Sequence, residues 1–234
     1  MALRKAIFVM AHRLSGSTTV AFLIIGMVCW LLFAHAAIAH PHVWITVKTD
    51  ILCSNRSIVG IRHKWSFDDM YAALATQGLD KNGDGKYSAT ELKPLLDTNI
   101  NSLNEYQYFT FPRVSGKVID RLPPKDYSIE YKNGSLKLSL TLPLKEPVPL
   151  SKIGEFTLMI SDPSYYVDFA FAKKSPVHLK SAPAGCKPVI KDPRPDPDEL
   201  SRLMGLGDAY FADADLAAKI AAQYAKTVII RCPK

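Results

Sequence analysis

Residues 80–91 read DKNGDGKYSATE, a spacing that can surround a hard cation with oxygen. Asp80, Asn82 and Asp84 occupy positions 1, 3 and 5 of a twelve-residue EF-hand pattern, and their side-chain oxygens can point to one centre. Gly85 at position 6 permits the sharp turn. Lys86 at position 7 offers a backbone carbonyl, Ser88 at position 9 can act through water, and Glu91 at position 12 can chelate with both oxygens. The predicted ion is Ca2+. With three carboxylates, Lys81 and Lys86 inside the loop and no second loop in the chain, the expected affinity is the weak extracellular range, about 10⁻⁴ to 10⁻³ M. A structural ion is expected rather than a signalling one. Ser88 and Glu91 also fit a capping box for a following helix, a role compatible with the cation.

A second constellation depends on processing. Residues 1–39 carry Arg4, Lys5 and Arg13, no acidic residue, and an apolar run over residues 20–34 that ends near Ala37-Ile38-Ala39. This is the layout of an export signal, and 15 apolar residues are short for a span of about 20. The chain is therefore predicted to be periplasmic or secreted after cleavage behind Ala39, with no stable membrane span left; an uncleaved anchor is the alternative. Cleavage exposes His40-Pro41-His42. The amine and imidazole of His40 can chelate a transition metal, Ni2+, Co2+, Zn2+ or Cu2+, with His42 as a further nitrogen donor. The square-planar amino-terminal motif is disfavoured, because it needs a deprotonated amide at the second residue and Pro41 has none. Additional donors must come from elsewhere. His63, Asp68 and Asp162 are the candidates, although a simple hairpin places His63 opposite Lys48, about 20 Å from His42. Ordinary roles compete: Asp69 as a cap, Asp162 as the start of an Asp-Pro turn, His63 as a structural histidine.

The elements that must position these groups follow from hydrophobic periodicity. Residues 42–53 alternate, with Val43, Ile45, Val47 and Ile51 on one face, and residues 58–65 return as the second strand of a hairpin. From Ser66 the period becomes helical, with Phe67, Met70, Tyr71 and Leu74 as the apolar stripe, Ser66 as N-cap and Asp69 as its partner. A second helix carries Leu92, Leu95, Leu96, Ile100 and Leu103, with Pro94 expected to kink or tighten it. Strands are predicted at residues 106–111, 117–120, 126–132, 135–142, 155–161 and 165–171. Asn133-Gly134 suits a type I′ turn that pairs Tyr131 with Leu136, Glu130 with Lys137 and Ile129 with Leu138. Five prolines mark a linker at residues 182–199, followed by helical stretches at 198–204 and 213–226 and a strand at 227–232. The predicted class is α+β, mainly antiparallel β and sandwich-like. It carries an inserted helix–calcium loop–helix at residues 66–104 of a β-rich domain spanning 40–181, and a short helical tail within 200–234.

Three cysteines remain after the signal. A Cys186–Cys232 bridge closes a loop of about 45 residues and tethers the tail, which suits an oxidising compartment; Cys53 reads as a small half-buried hydrophobe. Composition narrows the function. The whole chain carries a net charge of +7, but the signal holds three basic residues and no acid, so residues 40–234 carry +4. That smaller charge argues against a general nucleic-acid binder. No Ser-His-Asp spacing, C-x-x-C pair or glycine-rich phosphate loop is present, and the expectation is a protein that is not an enzyme.

Together, HPHVW at residues 40–44, GIRH at 60–63, WSFD at 65–68, the loop at 80–91, YFT at 108–110, LPL at 142–144, DPSYYV at 162–167 and APAGC at 182–186 form a recognisable set. The chain resembles the bacterial domain of unknown function family number 1007, whose members are described as the periplasmic component of an uncharacterised transport system. The resemblance covers nearly all of residues 40–234. It implies a membrane metal permease of the nickel/cobalt type as partner, and its pattern touches His40, His42, His63, Asp68 and Asp162. Asp69 departs from the pattern, which often has Glu there, and Cys53 is not part of it. No catalytic apparatus comes with the resemblance.

Overall fold

The computed structural model describes residues 42–151, 156–164, 166–193, 198, 223 and 225–233. The described residues open with a hairpin of β1 (Val43–Ser54) and β2 (Ser57–Phe67), turned by Asn55 and Arg56 at φ 47° and 57°. Every second residue of β1 from Val43 to Cys53 is buried, as period-2 alternation demands. One irregularity resets the hairpin. Cys53 pairs with Ile58 but Leu52 pairs with Gly60, so Val59 is an extra residue, and beyond it His63 faces Thr49 rather than the expected Lys48. At the bulge Gly60 lies so close to the backbone of Leu142 and Pro143 that an added Cβ would sit 3.1 Å from the Leu142 carbonyl.

Two helices follow, α1 (Asp69–Thr76) and α2 (Ala89–Glu105). Ser66 does not cap α1, because the β1–β2 ladder runs to Phe67 and is continued by the Asp68 N–H donating to the Trp44 carbonyl at 3.0 Å. Asp68 takes the N-cap, accepting from the Tyr71 N–H. The expected stripe is also rotated: Met70 and Leu74 are 66% and 70% exposed, while Ala72 and Thr76 are buried. Helix α2 starts at the Ser88/Glu91 capping box and continues through Pro94, burying Leu92 and Ile100.

The remaining described elements are β3 (Thr110–Val114), β4 (Lys117–Val118), β5 (Lys125–Lys132), β6 (Ser135–Pro149), β7 (Phe156–Ile160), β8 (Val167–Phe171), β9 (Val177–Lys180), β10 (Lys187–Lys191) and β11 (Thr227–Arg231). One sheet has the order β5-β6-β2-β1-β8, with β9 also on β1; the other has β10-β11-β7-β3-β4. Most pairings are antiparallel, and β8 and β9 run parallel to β1 along successive stretches of it. The fold is α+β and mostly sheet. The Asn133-Gly134 turn has both residues at positive φ, 52° and 75°, and fixes the expected register of Tyr131 on Leu136, Glu130 on Lys137 and Ile129 on Leu138.

Both sheets contribute to one core. Leu136, Leu138, Leu140 and Leu142 of β6 are fully buried with Ile61 and Trp65 of β2, Phe156 and Leu158 of β7 and Val228 of β11. The strand expected over residues 106–111 begins only at Thr110. Gln107, Tyr108 and Phe109 form a turn at φ 54°, 51° and 47°, which delivers the Phe109 ring to Phe169 at 5.3 Å and Trp65 at 6.4 Å.

The proline-rich stretch enters the second sheet as β10. Pro188 is tolerated because β10 is an edge strand, where a missing N–H removes no ladder bond on the open side. The two helical stretches expected at residues 198–204 and 213–226 lie outside the described residues, apart from Asp198, Gln223, Ala225 and Lys226. Cys186 and Cys232 form a disulfide across 46 residues and hold β10 to β11, while Cys53 is a free, buried thiol. Because β11 lies between β10 and β7 and buries Val228 and Ile230, the bridge secures an interior strand. Replacing both cysteines by serine is expected to lower the unfolding free energy by about 3 to 4 kcal/mol, read from urea denaturation under non-reducing conditions.

Candidate functional site

Residues 80–91 connect the two helices, and their carboxylates organise the loop through its own amides. Asp80 Oδ1 accepts the Gly83 N–H at 2.8 Å and the Asp84 N–H at 3.2 Å, and Asp80 Oδ2 accepts the Gly85 N–H at 2.9 Å. Asp84 Oδ1 accepts the Lys86 N–H at 2.8 Å, and Asn82 Oδ1 accepts the Asp84 N–H at 3.1 Å. Gly83 and Gly85 stand at φ 71° and 74°, a region that side chains avoid. Glu91 closes the loop: Oε1 accepts the Lys81 N–H at 2.8 Å, and Oε2 accepts the Ser88 N–H and hydroxyl at 2.9 and 2.7 Å. Those bonds from Ser88, then Lys81, hold the Glu91 carboxyl down to about 2, so it is an anion throughout the physiological range. The loop thus offers oxygen donors alone, the set a hard cation takes.

His42 lies at the opposite kind of site, where β1 and β8 begin. Its side chain is exposed, its N–H donates to the Tyr166 carbonyl at 2.9 Å, and the two rings stand 4.8 Å apart. His40 lies outside the described residues. Asp68 and Asp162 reach this end of the sheet through backbone contacts. Asp68 Oδ2 accepts the Trp44 N–H at 2.9 Å and Oδ1 the Tyr71 N–H at 2.8 Å. The buried Asp162 accepts the Ser164 N–H and hydroxyl on Oδ1 and the Val167 N–H on Oδ2, fixing the turn that presents Tyr166 to His42. Both carboxylates therefore act as struts for the backbone around His42.

His63 is elsewhere and fully buried. Its Nδ1 lies 3.0 Å from Thr49 Oγ1 and its Nε2 3.2 Å from Thr110 Oγ1. The Thr110 hydroxyl donates its one proton to the Tyr108 carbonyl at 2.6 Å. Its oxygen must then accept from His63 Nε2–H, which leaves Nδ1 to accept from Thr49; this assigns the tautomer by proton counting. Burial pushes the imidazole down to about 3, so the ring is neutral. The register puts it seven residues along β1 from His42, about 23 Å, and does not bring the two histidines together. Among the described residues no three His, Cys, Asp or Glu side chains converge as a metal-binding group, and no helix is long and apolar enough to cross a membrane.

A family model described as "Protein of unknown function (DUF1007)" matches residues 25–232. The chain belongs to the DUF1007 family. It is 24% identical over 204 residues to an uncharacterised protein of Haemophilus influenzae, across 86% of this chain and 95% of that one. It is also 28% identical over 106 residues to an uncharacterised 15.5 kDa protein in the trpE 3′ region of Spirochaeta aurantia, across 45% of this chain and 74% of that one. Family membership thus extends over both sheets and both sites.

Thr49 and Thr110, the partners of His63, were not among the residues expected to matter. A sequence signal existed for Thr49, which sits in the apolar phase of β1 between Val47 and Ile51 and so must carry a buried hydroxyl that needs a partner. Thr110 carried none, because its partner comes from the other sheet. The histidine makes stability pH-dependent. Its folded value lies below its unfolded value of 6.5, so the unfolded chain takes up the proton first and stability is lost as pH falls from 6.5 toward 3. The expected loss is about 2 kcal/mol between pH 7 and pH 5, measured by urea denaturation. His63→Leu should remove that pH dependence while lowering stability at pH 7 by about 1–3 kcal/mol for the Thr49 hydroxyl left unpaired, since Thr110 keeps its bond to the Tyr108 carbonyl.

Proposed function

We propose that this chain is an exported, non-catalytic metal-binding accessory protein of a transition-metal transport system, with calcium as a structural ion. The observation that carries the calcium part is the donor set of the loop at residues 80–91. Asp80, Asn82, Asp84 and Glu91 present side-chain oxygens, Lys86 its carbonyl and Ser88 its hydroxyl, between two helices and with glycines at the turn positions. Bound calcium would draw together and neutralise the three carboxylates of one short loop, which accept from the loop's own N–H groups, and join the end of α1 to the start of α2.

The transition-metal part rests on the chemistry of His40-Pro41-His42. Cleavage after Ala39 leaves the His40 amine and imidazole beside His42, whose backbone is held by Tyr166 and whose exposed ring lies 4.8 Å from the Tyr166 ring. A brace formed by the His40 amine and ring with His42 would take Ni2+, Co2+, Zn2+ or Cu2+ and pass it to or from a membrane permease. The disulfide supports an oxidising destination. A second reading, a calcium-stabilised interaction module with no transition-metal role, is favoured by one set of contacts: Asp68, Asp162 and His63 are all engaged with backbone amides or threonines.

Calcium at millimolar concentration is expected to raise the melting temperature of the processed chain, and Asp80→Ala should abolish the rise; an unchanged melting temperature in both would overturn the calcium site. For the brace, isothermal titration with nickel, zinc and copper should show stoichiometric binding to a chain that begins at His40. Addition of one residue before His40 should weaken it at least tenfold. Binding that ignores the extra residue refutes the amine chelate and leaves the second reading.

A further inference from the structure

We propose that Arg121, laid over the ring of Tyr108, is the centre of a binding site for a small ligand bearing an oxyanion, a carboxylate or a phosphate group. The site is separate from the calcium loop and the histidines and uses none of their residues. The Arg121 guanidinium carbon stands 5.8 Å from the Tyr108 ring centroid, and its Nε is buried with no hydrogen-bond partner. Its sequence neighbour Asp120 turns to Lys145 at 3.5 Å and acts on the guanidinium only from beyond ion-pair distance. A guanidinium stacked on an aromatic face keeps its N–H groups at the edge of the stack, in the fork that matches a planar or tetrahedral oxyanion.

The fold holds this arrangement in place at some cost to itself. The Arg121 backbone is bridged to Leu144, the Leu122 N–H donates to the Pro143 carbonyl at 2.8 Å, and the Lys145 N–H donates to the Asp120 carbonyl at 3.0 Å. These bonds use the irregular stretch of β6 where pairing with β2 jumps from Pro143 to Val148. Beneath the guanidinium, Gln107, Tyr108 and Phe109 are three consecutive left-handed residues. L-residues avoid that conformation, and a run of three is held only by surrounding structure. A buried donor without an acceptor gains one once an anion accepts from Nε, and the left-handed turn keeps the Tyr108 ring in place beneath the guanidinium.

Tyr127, 42% exposed, lies close enough to act electrostatically on both Tyr108 and Lys93, and can supply a phenolic donor at the rim. Lys93 is paired with Asp97 at 2.7 Å, which leaves that carboxylate engaged rather than free to fill the place of a ligand. Burial disfavours the Arg121 charge, and the nearby Tyr108 and Asp120 favour it.

The test is a titration of the protein labelled with 15N-arginine, following the Nε–H resonance that Arg121→Lys removes. Sodium phosphate, sodium acetate and sodium succinate are compared with sodium chloride at constant ionic strength. A saturable shift with phosphate alone identifies a phosphoryl ligand, and one with the carboxylates identifies a carboxylate ligand. The same anion should raise the melting temperature of the wild type and not of Arg121→Lys. Arg121→Met keeps the stack without the donor and should leave the urea midpoint without added anion unchanged or higher. No saturable shift beyond that of chloride, a melting-temperature rise that survives in Arg121→Lys, or a lowered midpoint in Arg121→Met would each overturn the proposal in favour of a packing role.

Discussion

The line of hydrogen bonds from Thr49 through His63 and Thr110 to the Tyr108 carbonyl joins the two sheets through the middle of the core. Thr49 and His63 belong to β1 and β2 in one sheet, and Thr110 opens β3 in the other. In a low-dielectric interior such a chain holds its members in one arrangement, because each has a partner only if all are in register. Trp65, Phe109 and Phe169 pack around it, with Trp65 and Phe169 edge to face at 5.3 Å. Apolar packing supplies the larger energy, but it is non-directional. The threonine–histidine line fixes how far one sheet is displaced along the other.

The Val59 bulge makes that line possible. Without it, His63 would oppose Lys48 and its side chain would turn to the solvent face, since a one-residue slip inverts every side chain of a strand. Gly60 lets β2 approach β6 at the same place, and the compensating irregularity in β6 recruits the segment around Arg121. The same irregularity thus borders the buried histidine on one side and the segment that carries Arg121 on the other. The left-handed turn at residues 107–109 serves both, giving its carbonyl to Thr110 and its Tyr108 ring to Arg121.

The carboxylates divide into two kinds by the groups they meet. Asp68 and Asp162 accept backbone N–H groups at strand and helix starts and shape the end of the sheet where His42 emerges. Asp80, Asp84 and Glu91 accept N–H groups within one exposed loop. Both sets use the same chemistry, an anion matched to amide donors. Only the second has the twelve-residue spacing on which the calcium proposal rests.

Local chemistry was legible in the sequence. The Asn133-Gly134 hairpin and its register, the β1–β2 hairpin, the Ser88/Glu91 capping box and the Cys186–Cys232 pair all depend on residues close in sequence, on period-2 alternation or on the few cysteines present. What depends on contacts between distant segments was not. The apolar residues of α1 fit a helical stripe, yet the Asp68 cap and the short helix rotate Met70 and Leu74 outward and bury Ala72 and Thr76. Aromatic density at residues 106–111 suggested a strand, while the need to bring Phe109 onto Trp65 and Phe169 imposed a left-handed turn. The prolines of residues 182–199 read as a linker, and β11, some forty residues on, makes part of that stretch an edge strand. The sequence by itself determined the Ser88/Glu91 capping box and the Asn133-Gly134 register, because those contacts run between residues close in sequence. Only the tertiary structure decided the role of His63, because a side chain's charge state and partners are set by burial and by a threonine 47 residues away.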